Sequence, residues 1–250
     1  MGKGHEDRIA VITGAAAGIG QAYAKRLAED GAHIVIADID DASDTVALVR
    51  AAGREGLAVR CDVSDEDEVT HLAEQVKERF GHCDILVNNA GIFPNQPFDT
   101  IDFVQWRRVM AINLDSMFLT AHAFVPGMRE RHWGRIVNMA SNTFSTPVTG
   151  YAHYIASKGG VIGLTRALAS DLAADGITVN AIAPSLTRTV GTTITNPRSE
   201  ERFARVSAHQ AIPRIQVPED LVGTLSFLTG DDATFTTGQT LYVDGGWVRT

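Results

Sequence analysis

"ITGAAAGIG", residues 12–20, decides the fold. The apolar run "RIAVIT" (8–13) leads into it, and the amphipathic stretch "IGQAYAKRLAEDG" (19–31) leads out of it. A strand therefore passes into a helix through a turn built on Gly14, Gly18 and Gly20. Glycines there permit a tight turn and a close backbone approach, and the free N–H groups of the helix start can hold a pyrophosphate. The spacing is G-x-x-x-G-x-G, not the general G-x-G-x-x-G. Alone it suits a plain strand-to-helix connection equally well. Asp38 adds the second element. It ends the run "HIVIAD" (33–38), about twenty residues on, where a carboxylate accepts hydrogen bonds from ribose hydroxyls and repels a 2′-phosphate. No Arg or Lys stands in "AAAG" or directly after Asp38 to offset that charge. NAD is the expected cofactor, in preference to NADP.

Outward from this turn the same alternation continues. "LAVRCD" (57–62), "DILVNN" (84–89), "RIVNMA" (135–140), "TVNAIA" (178–183) and "TLYVDG" (240–245) read as strands rich in Val and Ile. "DEDEVTHLAEQVKERFG" and "GGVIGLTRALASDLAADG" carry apolar residues at helical spacing, and each closes on Gly. Strands alternating with helices predict an α/β fold: a Rossmann-type doubly wound sheet of about seven parallel strands with helices on both faces. The expectation is a single dinucleotide-binding and catalytic domain over 1–250. The polar stretch 185–203 lacks strong periodicity and predicts a mobile substrate lid at about 187–212.

The composition narrows the function. The chain of 250 residues is 44% hydrophobic and 21% charged, with a formal net charge of -8, so it can bury a large core. An acidic chain without a basic block is a poor partner for nucleic acid. Its longest apolar runs fall short of a membrane span, and no secretory h-region follows the N-terminus. Cys61 and Cys83 form no C-x-x-C pair and read as reduced structural thiols. A cytoplasmic protein is expected, with no metal site and no membrane partner.

"YAHYIASK" (151–158) carries the chemistry. Tyr154 and Lys158 are spaced i and i+4, one helical turn apart. A phenol with an ordinary pKa of about 10 is a weak base at neutral pH, and a nearby ammonium is expected to lower it. Tyr151 lies two turns from Lys158 and is expected to wall the substrate pocket. His153 faces away and is given a structural or rim role. Taken singly, these residues also fit a packed tyrosine and a surface lysine.

"TGAAAGIG", "NNAG" (88–91), Asn113, Ser141 and the Tyr154–Lys158 pair occur in the order of the short-chain dehydrogenase/reductase family, which the chain resembles down to "VDGG" (243–246). The resemblance implies a catalytic set of Asn113, Ser141, Tyr154 and Lys158. Ser141 would bond the substrate oxygen, Asn113 would hold a water linking Lys158 to solvent, and Lys158 would also bind the nicotinamide ribose. It further implies cofactor contacts at Gly14, Gly18, Ile19, Gly20 and Asp38, at Asp62 and Val63 beside the adenine, and at Asn89, Ala90 and Gly91 along the ribose. Pro184, Thr187 and Thr189 would hold the carboxamide. Ser185 departs from the family's usual Gly.

Phe93, Thr143, Phe144, Pro147, Tyr151, Leu186 and Val190 are the expected substrate-pocket residues. An apolar lining with few charges suits a neutral hydrophobic alcohol or ketone. "AIAPSLTRT", "IFPNQPFDTIDFVQW", "IPRIQVPEDL" and "TGQTLYVDGG" are similar to the family's bacterial NAD-dependent 1-phenylethanol dehydrogenase branch. That implies interconversion of hydrophobic, including aryl, secondary alcohols and ketones. The family's usual homotetramer would pair helices at about 103–128 and 152–175, and a second interface would use "GGWVRT". Two alternatives stand beside this. One is a 3-oxoacyl-thioester (acyl-carrier) reductase, with a partial basic rim at Arg188, Arg198, Arg202 and Arg205. The other is a non-catalytic NAD-binding protein.

Overall fold

The computed structural model describes residues 4–194 and 199–249. Seven strands form one parallel sheet: β1 (Ile9–Thr13), β2 (His33–Asp38), β3 (Gly56–Arg60), β4 (Ile85–Asn88), β5 (Gly134–Met139), β6 (Ile177–Pro184) and β7 (Thr240–Val243). Their order is β3-β2-β1-β4-β5-β6-β7, so the winding reverses between β1 and β4. Every residue of β1, β4 and β5 is buried. Covered on both faces, these strands read as continuous apolar runs instead of alternating ones.

One face carries α3 (Glu66–Phe80), α5 (Ser116–Glu130) and α6 (Ala152–Leu172), which bury Leu72, Phe124 and Ala169 against the sheet. The other carries α1 (Gly18–Glu29), α2 (Ser43–Ala51) and α9 (Glu219–Thr229), with Tyr23, Val49 and Leu225 inward. Helix α3 shows conventional ends. Asp65 caps it by accepting from the Asp67 and Glu68 amides, and Gly81 stops it at φ 81°. Helix α1 contrasts with it. No side chain caps its start and no acid occupies its first turn, so its positive end faces outward unsatisfied.

Helix α4 (Phe103–Met110) runs through a π-helical turn (Ala111–Asp115) into α5. Together Phe103–Glu130 is long and apolar enough to cross a membrane, contrary to the expectation from apolar runs alone. Its Met117, Phe124 and Met128 pack into the core, which accounts for the apolar character. The stretch 185–203 is also more regular than expected. It holds α7 (Val190–Ile194) and the start of α8 (Ser199–Ser207). Phe203 anchors α8 by burying its ring, while the surrounding Glu and Arg residues mask that single apolar contact in the sequence. Of the expected lid, residues 195–198 lie outside the described residues.

Candidate active site

The three glycines do what their spacing requires. Gly14 and Gly18 adopt φ of 63° and 62°, which favour glycine. A Cβ on Gly14 would stand 2.7 Å from the Ala90 Cα, and one on Gly20 would run into the Gly14 carbonyl. The bare turn and the uncapped start of α1 open into a cavity of about 990 Å³ at the C-terminal ends of the strands, beside the β1/β4 reversal. Asp38 lines it from the end of β2, and its carboxylate accepts from the Ala16 amide at 2.8 Å. Asn89, Ala90 and Gly91 line the same end, and the Asn89 NH2 donates to the carbonyls of Thr13 and Gly14 at 2.9 and 2.7 Å. Thr189 sits against the turn, its methyl 3.4 Å from where a Gly18 Cβ would lie. These features fit a dinucleotide: a cradle without side chains, a helix N-terminus and a ribose-height carboxylate.

At the other end Ser141 follows β5 in extended conformation, and its hydroxyl accepts from the Thr143 amide at 3.2 Å. Tyr154 faces it from α6. The Lys158 ammonium donates to the Met139 carbonyl at 2.7 Å and lies 5.7 Å from the Tyr154 ring centre. Lys158 is 4% exposed and makes no salt bridge among the described residues, and burial brings its pKa down to about 8. Burial also raises the Tyr154 pKa, against smaller lowering influences from Ser141 and Arg202. This reverses the expected effect of the lysine, because desolvation of the phenol outweighs every charge around it. The π turn carries the fully buried Asn113, whose Oδ1 accepts from the Ile92 amide at 2.8 Å while its NH2 donates to the Ile92 carbonyl and the Ser157 hydroxyl at 2.9 and 3.1 Å.

The remaining expected residues divide. Ile19, Phe93, Thr143, Pro147, Tyr151, Pro184, Leu186 and Thr187 line the cavity. Gly20, Asn113 and Lys158 stand behind its wall. Asp62 instead braces the turn after β3, accepting from the Ser64 amide and hydroxyl, and Val63 is packed into the core. Phe144 is half-exposed and lies over Gly159 on α6, and Val190 is exposed on α7; neither is among the residues that line the cavity. His153 is fully buried and accepts from the Tyr154 amide at 2.9 Å, and burial lowers its pKa. It is structural and not at a rim. Ser185 takes no positive φ, so its place makes no demand for glycine.

Several lining residues were not expected. Val206 and His209 reach in from α8 and just beyond it, and Trp247 from the C-terminal tail. Arg202 and Arg205 line the cavity too, where the sequence had suggested only an outer rim. Asp244 fixes the tail by accepting from the Gly246, Trp247 and Val248 amides, and His209 stacks on Trp247 at 5.0 Å. Nothing local in the sequence marks a tail or lid residue as a pocket wall.

A bare glycine cradle leading to a serine and a tyrosine–lysine helix defines a dinucleotide-dependent oxidoreductase. The family model described as enoyl-(acyl carrier protein) reductase matches residues 14–248. A cis-4-hydroxycyclohexanecarboxylate dehydrogenase of Sinomonas cyclohexanicum is 41% identical over 249 residues, covering 99% of each chain. A 3-oxoacyl-[acyl-carrier-protein] reductase of Haemophilus influenzae is 35% identical, covering 96% of this chain and 98% of its own. A solved structure of a candidate NAD(P)-dependent gluconate 5-dehydrogenase from Beutenbergia cavernae, with NADP bound, superposes with a TM-score of 0.92 at 37% identity and 99% coverage of both chains. The chain belongs to the short-chain dehydrogenase/reductase family.

Proposed function

We propose that this protein interconverts secondary alcohols and ketones using NAD, acting in the cytoplasm as a homotetramer. The observation that carries the reading is the meeting of Ser141 and Tyr154, with Lys158 just behind the wall, at one end of a cavity whose other end is a glycine cradle with Asp38. A nicotinamide dinucleotide would supply hydride transfer when bound. Gly14, Gly18, Asp38, Asn89 and Thr189 would hold it, with Lys158 and Thr187 as further contacts. Ser141 donates to the substrate oxygen. Tyr154 gives that oxygen a proton in reduction and takes one from it in oxidation. Lys158 carries the proton onward, and Asn113 positions this group by tying Ile92 to α6 through Ser157.

Phe93, Pro147, Tyr151 and Leu186 supply an apolar wall, which supports a substrate with a hydrophobic body, aryl or alicyclic. The Asp38 carboxylate, with Asp40 beside it in the cavity, supports NAD over NADP. Full-length similarity to a 3-oxoacyl-[acyl-carrier-protein] reductase favours a second reading as a thioester ketoreductase. The basic rim that an acidic carrier needs is partial among the described residues: Arg188 is paired with Glu200 at 2.8 Å and Arg202 faces inward, Arg205 is exposed at the cavity, and Arg198 lies outside the described residues.

The test is a panel of aryl and alicyclic secondary alcohols and a 3-oxoacyl thioester, offered with NAD and NADP and followed through the absorbance of the reduced cofactor. Alcohol oxidation with NAD is expected, and Asp38→Ala should shift the NADP-to-NAD preference toward NADP by about tenfold or more, as loss of a charge repulsion of 1.4 kcal/mol or above implies. Thioester reduction without alcohol oxidation would move the assignment to the second reading, and wild-type preference for NADP would refute the role of Asp38.

A further inference from the structure

Helix α8 turns a cation into the substrate end of the cavity. Arg202 is half-buried, and its guanidinium carbon lies 5.5 Å from the Tyr151 ring centre. Tyr151 meets Tyr154 edge-on at 6.0 Å between ring centres. Tyr151 thus stands between the guanidinium and the proposed proton donor, and all three line one cavity. The charge is felt there, since Arg202 is one of the influences that lower the Tyr154 pKa against burial.

Arg202 differs from its neighbour Arg188 in its charge partners among the described residues. Arg188, at the start of the same segment, is neutralised by Glu200 and stacks over Phe203 at 4.9 Å. Arg202 makes no salt bridge among the described residues; its one marked contact is the aromatic face, which orients a guanidinium without satisfying its N–H groups. Arg205, three residues on and on the same helix face, lines the cavity as well. Glu201 lines this end from an exposed position, while Asp38 and Asp40 lie at the opposite, β2 end. The cavity is therefore polarised, acidic where the ribose would lie and basic beyond the tyrosines.

We propose that the substrate is a hydroxy acid, or the corresponding keto acid, whose carboxylate is held by Arg202 while its secondary hydroxyl or ketone lies at Ser141 and Tyr154. This rests on the alcohol–ketone reading of the same site. A hydrophobic ring or short chain spans the two ends along Phe93 and Leu186. The planar guanidinium matches a carboxylate in two parallel hydrogen bonds. A neutral substrate would instead cover a half-buried cation and leave it without a partner, which is costly. Arg205 adds attraction at longer range, and Glu201 confines the anion to the Arg202 side. The chemistry at the carbinol carbon is unchanged, and the carboxylate takes no part in it.

Binding can be read without turnover. Calorimetry on the protein with NAD present would compare cyclohexanecarboxylate, which has no hydroxyl to oxidise, with cyclohexanecarboxamide. The acid is expected to bind about 10- to 100-fold more tightly, the range for a charge-assisted hydrogen-bonded pair. Arg202→Gln should remove the preference and Arg202→Lys should keep part of it, with melting curves confirming that both fold. Equal binding of the two ligands, binding of neither, or a preference that survives Arg202→Gln would overturn the assignment. If neutral alcohols are oxidised and no acid preference is found, the carboxylate assignment fails while the reaction stands. Acid preference without turnover of any alcohol supports the anion site and refutes the reaction.

Discussion

Tyr154 is held between opposing influences, and the balance has a direction. Burial raises its pKa while Ser141 and Arg202 pull it down. The phenol therefore keeps its proton at neutral pH, the state needed to protonate a nascent alkoxide. Lys158, with a pKa of about 8, loses its charge as pH rises through that value. Ketone reduction should be fastest below pH 8, and alcohol oxidation, which needs the phenol deprotonated, should rise into the alkaline range; pH–rate profiles of kcat/KM in both directions check this. An oxidation rate that falls from pH 7 to 9 would contradict it. At this scale the i,i+4 spacing of Tyr154 and Lys158 was legible in the sequence. The sign of the phenol's shift was not, because burial is set by tertiary packing that the local spacing does not reveal.

At the scale of elements, the strand-to-helix turn was the most legible part, since positive φ and bare backbone leave a glycine signature. Gly14→Ala would force φ 63° on a side chain and press a Cβ to 2.7 Å from the Ala90 Cα. It should cost about 1 kcal/mol or more in stability, as strain in the left-handed region does. The same variant should weaken NAD binding at least about tenfold, the equivalent of 1.4 kcal/mol, measured by fluorescence titration. Unchanged affinity would remove the turn from the binding site. Helix α8 was illegible for the opposite reason: one buried ring, Phe203, holds a helix that otherwise reads as a charge run. A pocket wall built from it, and from Trp247 in the tail, emerges only once the chain is folded.

At the scale of the whole molecule, the α4–α5 stretch leaves Phe103, Val104 and Phe118 exposed at 75%, 76% and 57%. Large apolar side chains grouped on one stretch of helix are a usual mark of an interface. A homotetramer using this face should sediment as four copies, and Phe118→Glu should shift it to a smaller species without unfolding, as read by light scattering. A wild-type monomer at micromolar concentration would contradict the assembly. The parallel sheet of seven strands with helices on both faces followed from alternation of strands and helices, whereas the strand order and its reversal point came from the structure. Which exposed face meets a partner did not, because the same hydrophobic pattern serves core and interface alike.

The central claim is that Tyr154 moves the proton in a dinucleotide-dependent alcohol–ketone reaction. Comparing wild type with Tyr154→Phe, for reduced-cofactor formation from a secondary alcohol and for NAD affinity, tests it most directly. The account predicts a loss in kcat of about 10²–10⁴, the usual contribution of a positioned acid–base group, with NAD affinity unchanged. A variant that keeps its rate within a few-fold of wild type would contradict it.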